Sequence, residues 1–294
     1  YDADAHVALG DATVRSRHLV DGALPPGAVD CRTVVVVGDS FTWGEHVFAT
    51  GDIWPYVAER ELRDRGICAR VVNLAQGGYT TVNEVEAVLR YGLPLRPDLV
   101  VVQYLVNDPL PSGPNFQRAT GIWLLSPAPP LAVVSGLHRA LNAHSYLYSW
   151  LNEAWRRVHA AWTGRPDRTF ADLHAPDFPG WIATTNAMRQ LAEAARERNI
   201  PVLAVIAPVF TPELTTLDRA GYLYVPQHQQ ASDAFSRNGI PCMDLLDAFA
   251  AVHPEPRAWW ILPTDGHPSR EAHRLMGQAI AAEIARRWPA PGAP

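Results

Sequence analysis

Cysteine is scarce in this chain, with three in 294 residues. Cys31, Cys68 and Cys242 lack the paired spacing of a zinc site, which excludes a cysteine-held structural metal. The eleven histidines include no HExxH and no pair at helical i, i+4 spacing, so a metal centre is not expected. No apolar stretch reaches the roughly 18 residues that a membrane-spanning helix needs, and no membrane span is expected. No run rich in Lys and Arg occurs; 25 basic residues face 30 acidic ones, for a net charge of −5. A nucleic-acid partner is therefore not expected. Internal repeats are absent. The chain begins at Tyr1 rather than methionine, which leaves room for a preceding signal or anchor.

What is present is a globular composition, 48% hydrophobic and 19% charged, long enough for one large domain or two smaller ones. Residues 1–32 read as an irregular, extended lead-in closed by Pro25-Pro26-Gly27. From Thr33 the pattern changes to alternating strands and helices. Thr33–Val37 is a continuous β-branched run, as expected of a strand buried on both faces. Further strands are predicted at Arg70–Leu74, Leu99–Leu105, Pro201–Ala207 and Ile240–Asp244. Helices are predicted at Ile53–Arg65, closed by Gly66; from a capping box at Thr81-Val82-Asn83-Glu84 to near Gly92; and at Trp181–Arg198, Val225–Arg237 and Arg270–Arg287. Such alternation points to a parallel sheet with helices on both faces, here a three-layer α/β/α arrangement with five strands. The main domain spans 33–288, and 289–294 form a Pro-rich tail. Between 109 and 180 no strand is legible. This segment reads as a helical insertion after strand three and a candidate lid. Its stretch over 145–162 repeats apolar and aromatic residues at three- and four-residue steps, which suits ordinary packing as well as a substrate platform. Cys31 and Cys68 each stand just before a predicted strand. They pair if those strands are neighbours and are otherwise reduced, partly buried thiols.

In an open parallel sheet, reactive groups gather beyond the carboxyl ends of the strands. After strand one stands Gly38-Asp39-Ser40, after strand two NLAQGGYTT with Gly78, and after strand three Asn107-Asp108. Before the last helix stands PTDGHPS, with Asp265 and His267. A serine hydroxyl needs a base to take its proton, and His267 is of the right type. Asp265 would fix the imidazole tautomer and stabilise the imidazolium. The backbone N–H groups of Ser40 and Gly78 and the side-chain amide of Asn107 are suitable oxyanion donors. Taken singly, each residue has an ordinary reading: Ser40 as a cap, Asn107 and Gly78 as turn formers, His267 as a surface histidine, Asp265 as a loop cap. Asp39 reads as a structural hydrogen-bonding residue, Asp108 as a turn former and His273 as helix-face packing.

The set resembles the SGNH/GDSL hydrolase superfamily in four blocks, over roughly Thr33–Trp288 and in the right order. These are GDS at Gly38–Ser40, with Phe41 where the family name has Leu; GYTT at Gly78–Thr81; Asn107-Asp108; and DGHPS…AH at Asp265–His273. The resemblance implies a flavodoxin-like fold, no cofactor, and ester hydrolysis through Ser40, His267 and Asp265 with an oxyanion hole of Ser40, Gly78 and Asn107. Two positions depart from the pattern. Leu105 stands where the third block has Gly, and the Asp–His spacing is two rather than three, which leaves open a backbone carbonyl as the group orienting His267. The expected substrate is a small-molecule or carbohydrate ester, with a short-acyl, O-acetyl carbohydrate ester preferred and a lipid or aryl ester as the alternative. The resemblance also favours an extracytoplasmic or secreted location. Acyl transfer to a glycan hydroxyl instead of water remains open. A nucleotide-binding fold is disfavoured because the first turn is neither GxGxxG nor GxxxxGK[ST]. An inactive binding module is disfavoured by the complete residue set.

Overall fold

The computed structural model describes residues 6–9, 12–16, 31–110, 170–263 and 265–288. The valine run shows how the sheet is built. Val34 and Val36 point into one hydrophobic layer, and Val35 and Val37 into the other, because successive side chains of a strand face opposite ways. A strand buried on both faces has no polar side, hence the unbroken apolar run.

The chain opens with a hairpin of β1 (His6–Leu9) and β2 (Ala12–Arg15). This differs from the irregular lead-in expected for these residues. The register pairs Leu9 with Ala12, leaving Gly10-Asp11 between two short runs, which is a hairpin signal in the sequence. Next come β3 (Arg32–Val37), β4 (Ala69–Asn73), β5 (Leu99–Tyr104), β6 (Val202–Ile206) and β7 (Cys242–Asp244). They form one parallel sheet in the order β4-β3-β5-β6-β7, which is flavodoxin-like. An antiparallel ribbon of β8 (Trp260–Leu262) and β9 (Asp265–Pro268) lies beyond it in the chain.

The helices divide between the two faces. Those of one layer are α2 (Trp54–Asp64), α7 (Leu246–Val252) and α8 (Arg270–Arg287), whose Trp54, Leu62, Phe249, Met276 and Ile280 meet Val34, Val101 and Val205. The opposite layer holds α3 (Thr81–Ala87), α5 (Pro179–Glu197) and α6 (Val225–Arg237), with Val85, Met188, Leu191 and Phe235 against Val35, Val100 and Ile206. The α3 helix opens one residue earlier than the box expected at Thr81. Its cap is Thr80, and Asn83 Oδ1 accepts from the Thr80 N–H and hydroxyl. Glu84, read from sequence as the box partner, is instead fully buried.

The expected helix and aromatic stripe over 145–162 lie outside the described residues, as does most of the 109–180 segment. Its two ends meet: a Cβ on Gly180 would stand 1.9 Å from the Pro109 carbonyl oxygen. On the return, α4 (Phe170–Leu173) is followed by His174, whose Nε2 pairs with the Tyr104 hydroxyl at the end of β5 (2.6 Å). Cys31 and Cys68, just ahead of the neighbouring β3 and β4, are joined in a disulfide with Cα atoms 4.8 Å apart. Cys242 is free. No described helix is long and apolar enough to cross a membrane.

Candidate active site

The sheet order reverses between β3 and β5, and Ser40 and Asn107 follow those two strands. Beyond β3 the chain enters a single helical turn, α1 (Ser40–Trp43). The cap of that turn is Asp39, whose Oδ1 accepts from the Phe41 N–H (2.9 Å), so Ser40 is the first helical residue and its hydroxyl is free of capping duty. A buried polar chain supports the turn from beneath. Trp54 Nε1 donates to Thr42 Oγ1 (3.1 Å), which donates to Gln103 Oε1 on β5 (2.8 Å). The neighbouring loop is tied to this turn by Gln76 N–H donating to the Gly38 carbonyl (3.3 Å).

From the far end of the chain, β9 brings His267 to the serine. His267 Nε2 lies 2.9 Å from Ser40 Oγ, across 227 positions of sequence. Its Nδ1 lies 2.6 Å from Asp265 Oδ1. Burial raises the Asp265 carboxyl, but the His267 N–H, ring and charge, together with the charge of His46, hold it below the usual carboxylate value. An ionised carboxylate only accepts, so the Nδ1 proton points at Asp265, and Nε2 accepts from the serine hydroxyl. The short spacing noted in the sequence has a local cause. Residues two apart on a strand share a face, and Asp265 and His267 both lie on β9. Asp265 Oδ1 also takes the backbone N–H of His267 (2.9 Å). Gly266 between them is required by close approach, since a Cβ there would stand 2.6 Å from the Phe210 carbonyl oxygen.

Of the expected oxyanion donors, the Ser40 N–H opens α1 after β3, and Gly78 and Asn107 come from the loops after β4 and β5. Gly78 has φ +78° with open space where a Cβ would point, a conformation that suits glycine and leaves its approach clear. The Asn107 amide hydrogen-bonds the Asp39 carboxyl. Burial pushes that carboxyl up to about 6, while the Phe41 N–H, the charge of His267 and the Asn107 amide pull it back. Asp108 lies in the turn expected, its N–H donating to the Leu105 carbonyl (2.9 Å); its side chain is buried, and Oδ2 accepts from Thr81 Oγ1 (2.8 Å). His273 is fully buried, and its Nδ1 accepts from the Trp54 N–H (3.2 Å). Burial, first of all, then the charges of Arg15 and His267, lower it to about 3; it is a neutral tie between α8 and α2.

Three residues of this region were missed in the sequence. His46 Nε2 lies 3.0 Å from Asp265 Oδ2. Arg15 of β2 is buried against the loop that carries His46. Glu84 lies close enough to Asp108 and Asp39 for their charges to raise its carboxyl further above what burial alone does. The adjacency of Glu45-His46 to the GDS block was the one signal pointing to His46; nothing local marks Arg15 or Glu84. Among the described residues no cluster of three or more His, Cys, Asp or Glu is arranged to hold a metal ion.

Comparison with known proteins bears on this geometry. No curated protein matches the chain. Among solved structures, the fold is similar to that of TesA, with 16% identity, a TM-score of 0.50, and 87% of this chain and 99% of that one covered. It is also similar to an acetylxylan esterase, Axe2, from Geobacillus stearothermophilus, solved as a catalytic mutant, with 14% identity, a TM-score of 0.50, and coverage of 87% and 95%. Residues 36–275 match the model of the GDSL-like Lipase/Acylhydrolase family, a span that runs from within β3 past His267, so the chain belongs to that family and with it to the carboxylic ester hydrolases.

Proposed function

We propose that this hydrolase cleaves short-acyl esters, O-acetyl groups on carbohydrates foremost, with Ser40 as nucleophile, His267 as base and Asp265 as the acid that orients it. The observation that carries the reading is the pair of contacts at His267: 2.9 Å to Ser40 Oγ and 2.6 Å to Asp265 Oδ1. In acylation, Ser40 Oγ attacks the ester carbonyl while Nε2 takes its proton. Collapse expels the alcohol, which receives that proton from the imidazolium. Water, deprotonated by His267, then releases the acid and restores Ser40. The N–H groups of Ser40 and Gly78 and the Asn107 amide hold the oxyanion in both steps. These steps need no cofactor.

The carbohydrate preference draws on two supports. The fold is similar to that of an enzyme described as acting on acetylated xylan. A cavity of about 170 Å³ on the loop that follows Ser40, lined by Arg15, Trp43, Glu45, His46 and Phe48, offers aromatic faces and charged groups of the kind that suit a sugar ring. The disulfide supports an oxidising, extracytoplasmic location.

The test is a series of esters from acetyl to long acyl, with acetylated xylo-oligosaccharide included, on the wild type and Ser40→Ala. The reading expects the highest kcat/KM for acetyl and a loss of about 10⁶-fold in kcat for the variant. Free acetate as product identifies water as the acceptor; transferred acetyl would identify an acyltransferase. Full activity in Ser40→Ala would end the proposal.

A further inference from the structure

We infer that His46 is a second imidazole on the acid of the triad, a positioning residue that fixes the outer oxygen of Asp265 and so governs how that carboxylate holds His267. The inference rests on the Ser40–His267–Asp265 reading above.

Asp265 divides its two oxygens. Oδ1 serves His267, taking both its Nδ1 proton (2.6 Å) and its backbone N–H (2.9 Å). Oδ2 faces His46 Nε2 at 3.0 Å. The contact is within ion-pair distance, and because a carboxylate can only accept, it is favourable when Nε2 carries a proton. The two imidazole rings stand 6.3 Å apart and nearly perpendicular, at 80°, one on each oxygen.

The backbone gives a second, independent indication. His46 has φ +60°, a left-handed conformation that glycine adopts freely and other residues adopt at a cost. Strain of this kind persists where the surrounding structure fixes it, and it clusters at functional sites. Here the surroundings do fix it. The Arg15 guanidinium donates to the carbonyls of Trp43 (3.0 Å), Gly44 (3.1 Å) and Phe48 (3.3 Å) and to Thr50 Oγ1 (3.2 Å). Val47, the next residue, is buried with Ile53 and Tyr56. The loop is clamped on both sides of His46, and the ring projects at Asp265.

The charged and titratable groups around His46 are Asp265 and His267 on β9, Arg15 from β2 and Glu45 on its own loop. During acylation His267 becomes an imidazolium and draws on the charge of Asp265. A contact that holds Oδ2 in place while Oδ1 serves His267 keeps the carboxylate aimed at the ring through that step.

His46→Gly and His46→Gln, with Ser40→Ala in parallel, test this on the whole chain. Glycine relieves the backbone strain, so the Tm of His46→Gly should be unchanged or higher. Its kcat should fall about tenfold or more, the scale of one polar contact to a charged group, with KM within about twofold. Glutamine can donate to Oδ2 in place of the ring and should recover most of kcat. Both variants with wild-type kcat and KM, beside an inactive Ser40→Ala, would overturn the role of His46 and leave the triad standing. A kcat loss in His46→Gly that tracks a fall in Tm would overturn it too. An active Ser40→Ala would remove the triad itself.

Discussion

Glu84 has no solvent exposure, and neither of its carboxyl oxygens has a hydrogen-bond partner among the described residues. A charge in that position would be costly, and burial, then Asp108 and Asp39, hold its carboxyl well above the usual range. The folded chain thus keeps a proton that the unfolded chain releases above about pH 4.3. With more protons bound in the folded state, stability falls as pH rises from there toward the folded titration point. Glu84→Gln removes this dependence. Urea unfolding should find the variant about equal to wild type at pH 4 and more stable at pH 8, the gap widening by up to about 1.4 kcal/mol per pH unit until the folded carboxyl titrates. Equal stabilities at both pH values would show that Glu84 is ionised and paired. Asp39 belongs to the same group and titrates near 6. Its carboxylate form accepts from the Asn107 amide, so mild acid weakens the hold on the proposed oxyanion donor. At this scale Asp108 is the turn former expected, its N–H donating to the Leu105 carbonyl (2.9 Å), and also a buried acceptor for Thr81, while His273 is the packing residue expected.

The element that decides the site is β9, a short strand paired to β8 with an irregular register. No periodicity marks it in the sequence, because four residues are too few to show one. Yet it sets the two-residue Asp–His spacing and the direction of both side chains. Its fit depends on Gly266 lying under the Phe210 carbonyl. Gly266→Ala forces the strand to move, and His267 with it. A displacement near 1 Å at such a site costs on the order of 10²-fold in rate, so kcat/KM should drop by about that factor and Tm should fall; an unchanged rate would mean that β9 tolerates the shift. The strands and long helices were legible for the opposite reason. Their apolar runs and three-to-four residue steps extend over enough residues to be read, as Val225–Arg237 and Arg270–Arg287 show without a change of boundary.

Across the sheet, the disulfide and the proposed active site lie at opposite strand ends. The Cys31–Cys68 bridge joins β3 and β4 where they begin, while Ser40, Gly78 and Asn107 follow the strands where they end. Reduction should therefore cost about 2–4 kcal/mol of stability, the usual scale for a loop of this size, and leave kcat unchanged at temperatures where the chain stays folded; a parallel loss of kcat would show that the bridge reaches the site. The sequence by itself determined the alternating architecture, the five strands, and the identity of the four blocks, because buried strands demand unbroken apolar runs and sharp turns demand small polar residues. Only the tertiary structure decided that Cys31 meets Cys68, that Arg15 clamps the loop after Ser40, and that His46 stands on Asp265 opposite His267. Those contacts join positions whose separation in the chain says nothing about their distance in space. That distance is set by strand order and by the packing of helices against the sheet.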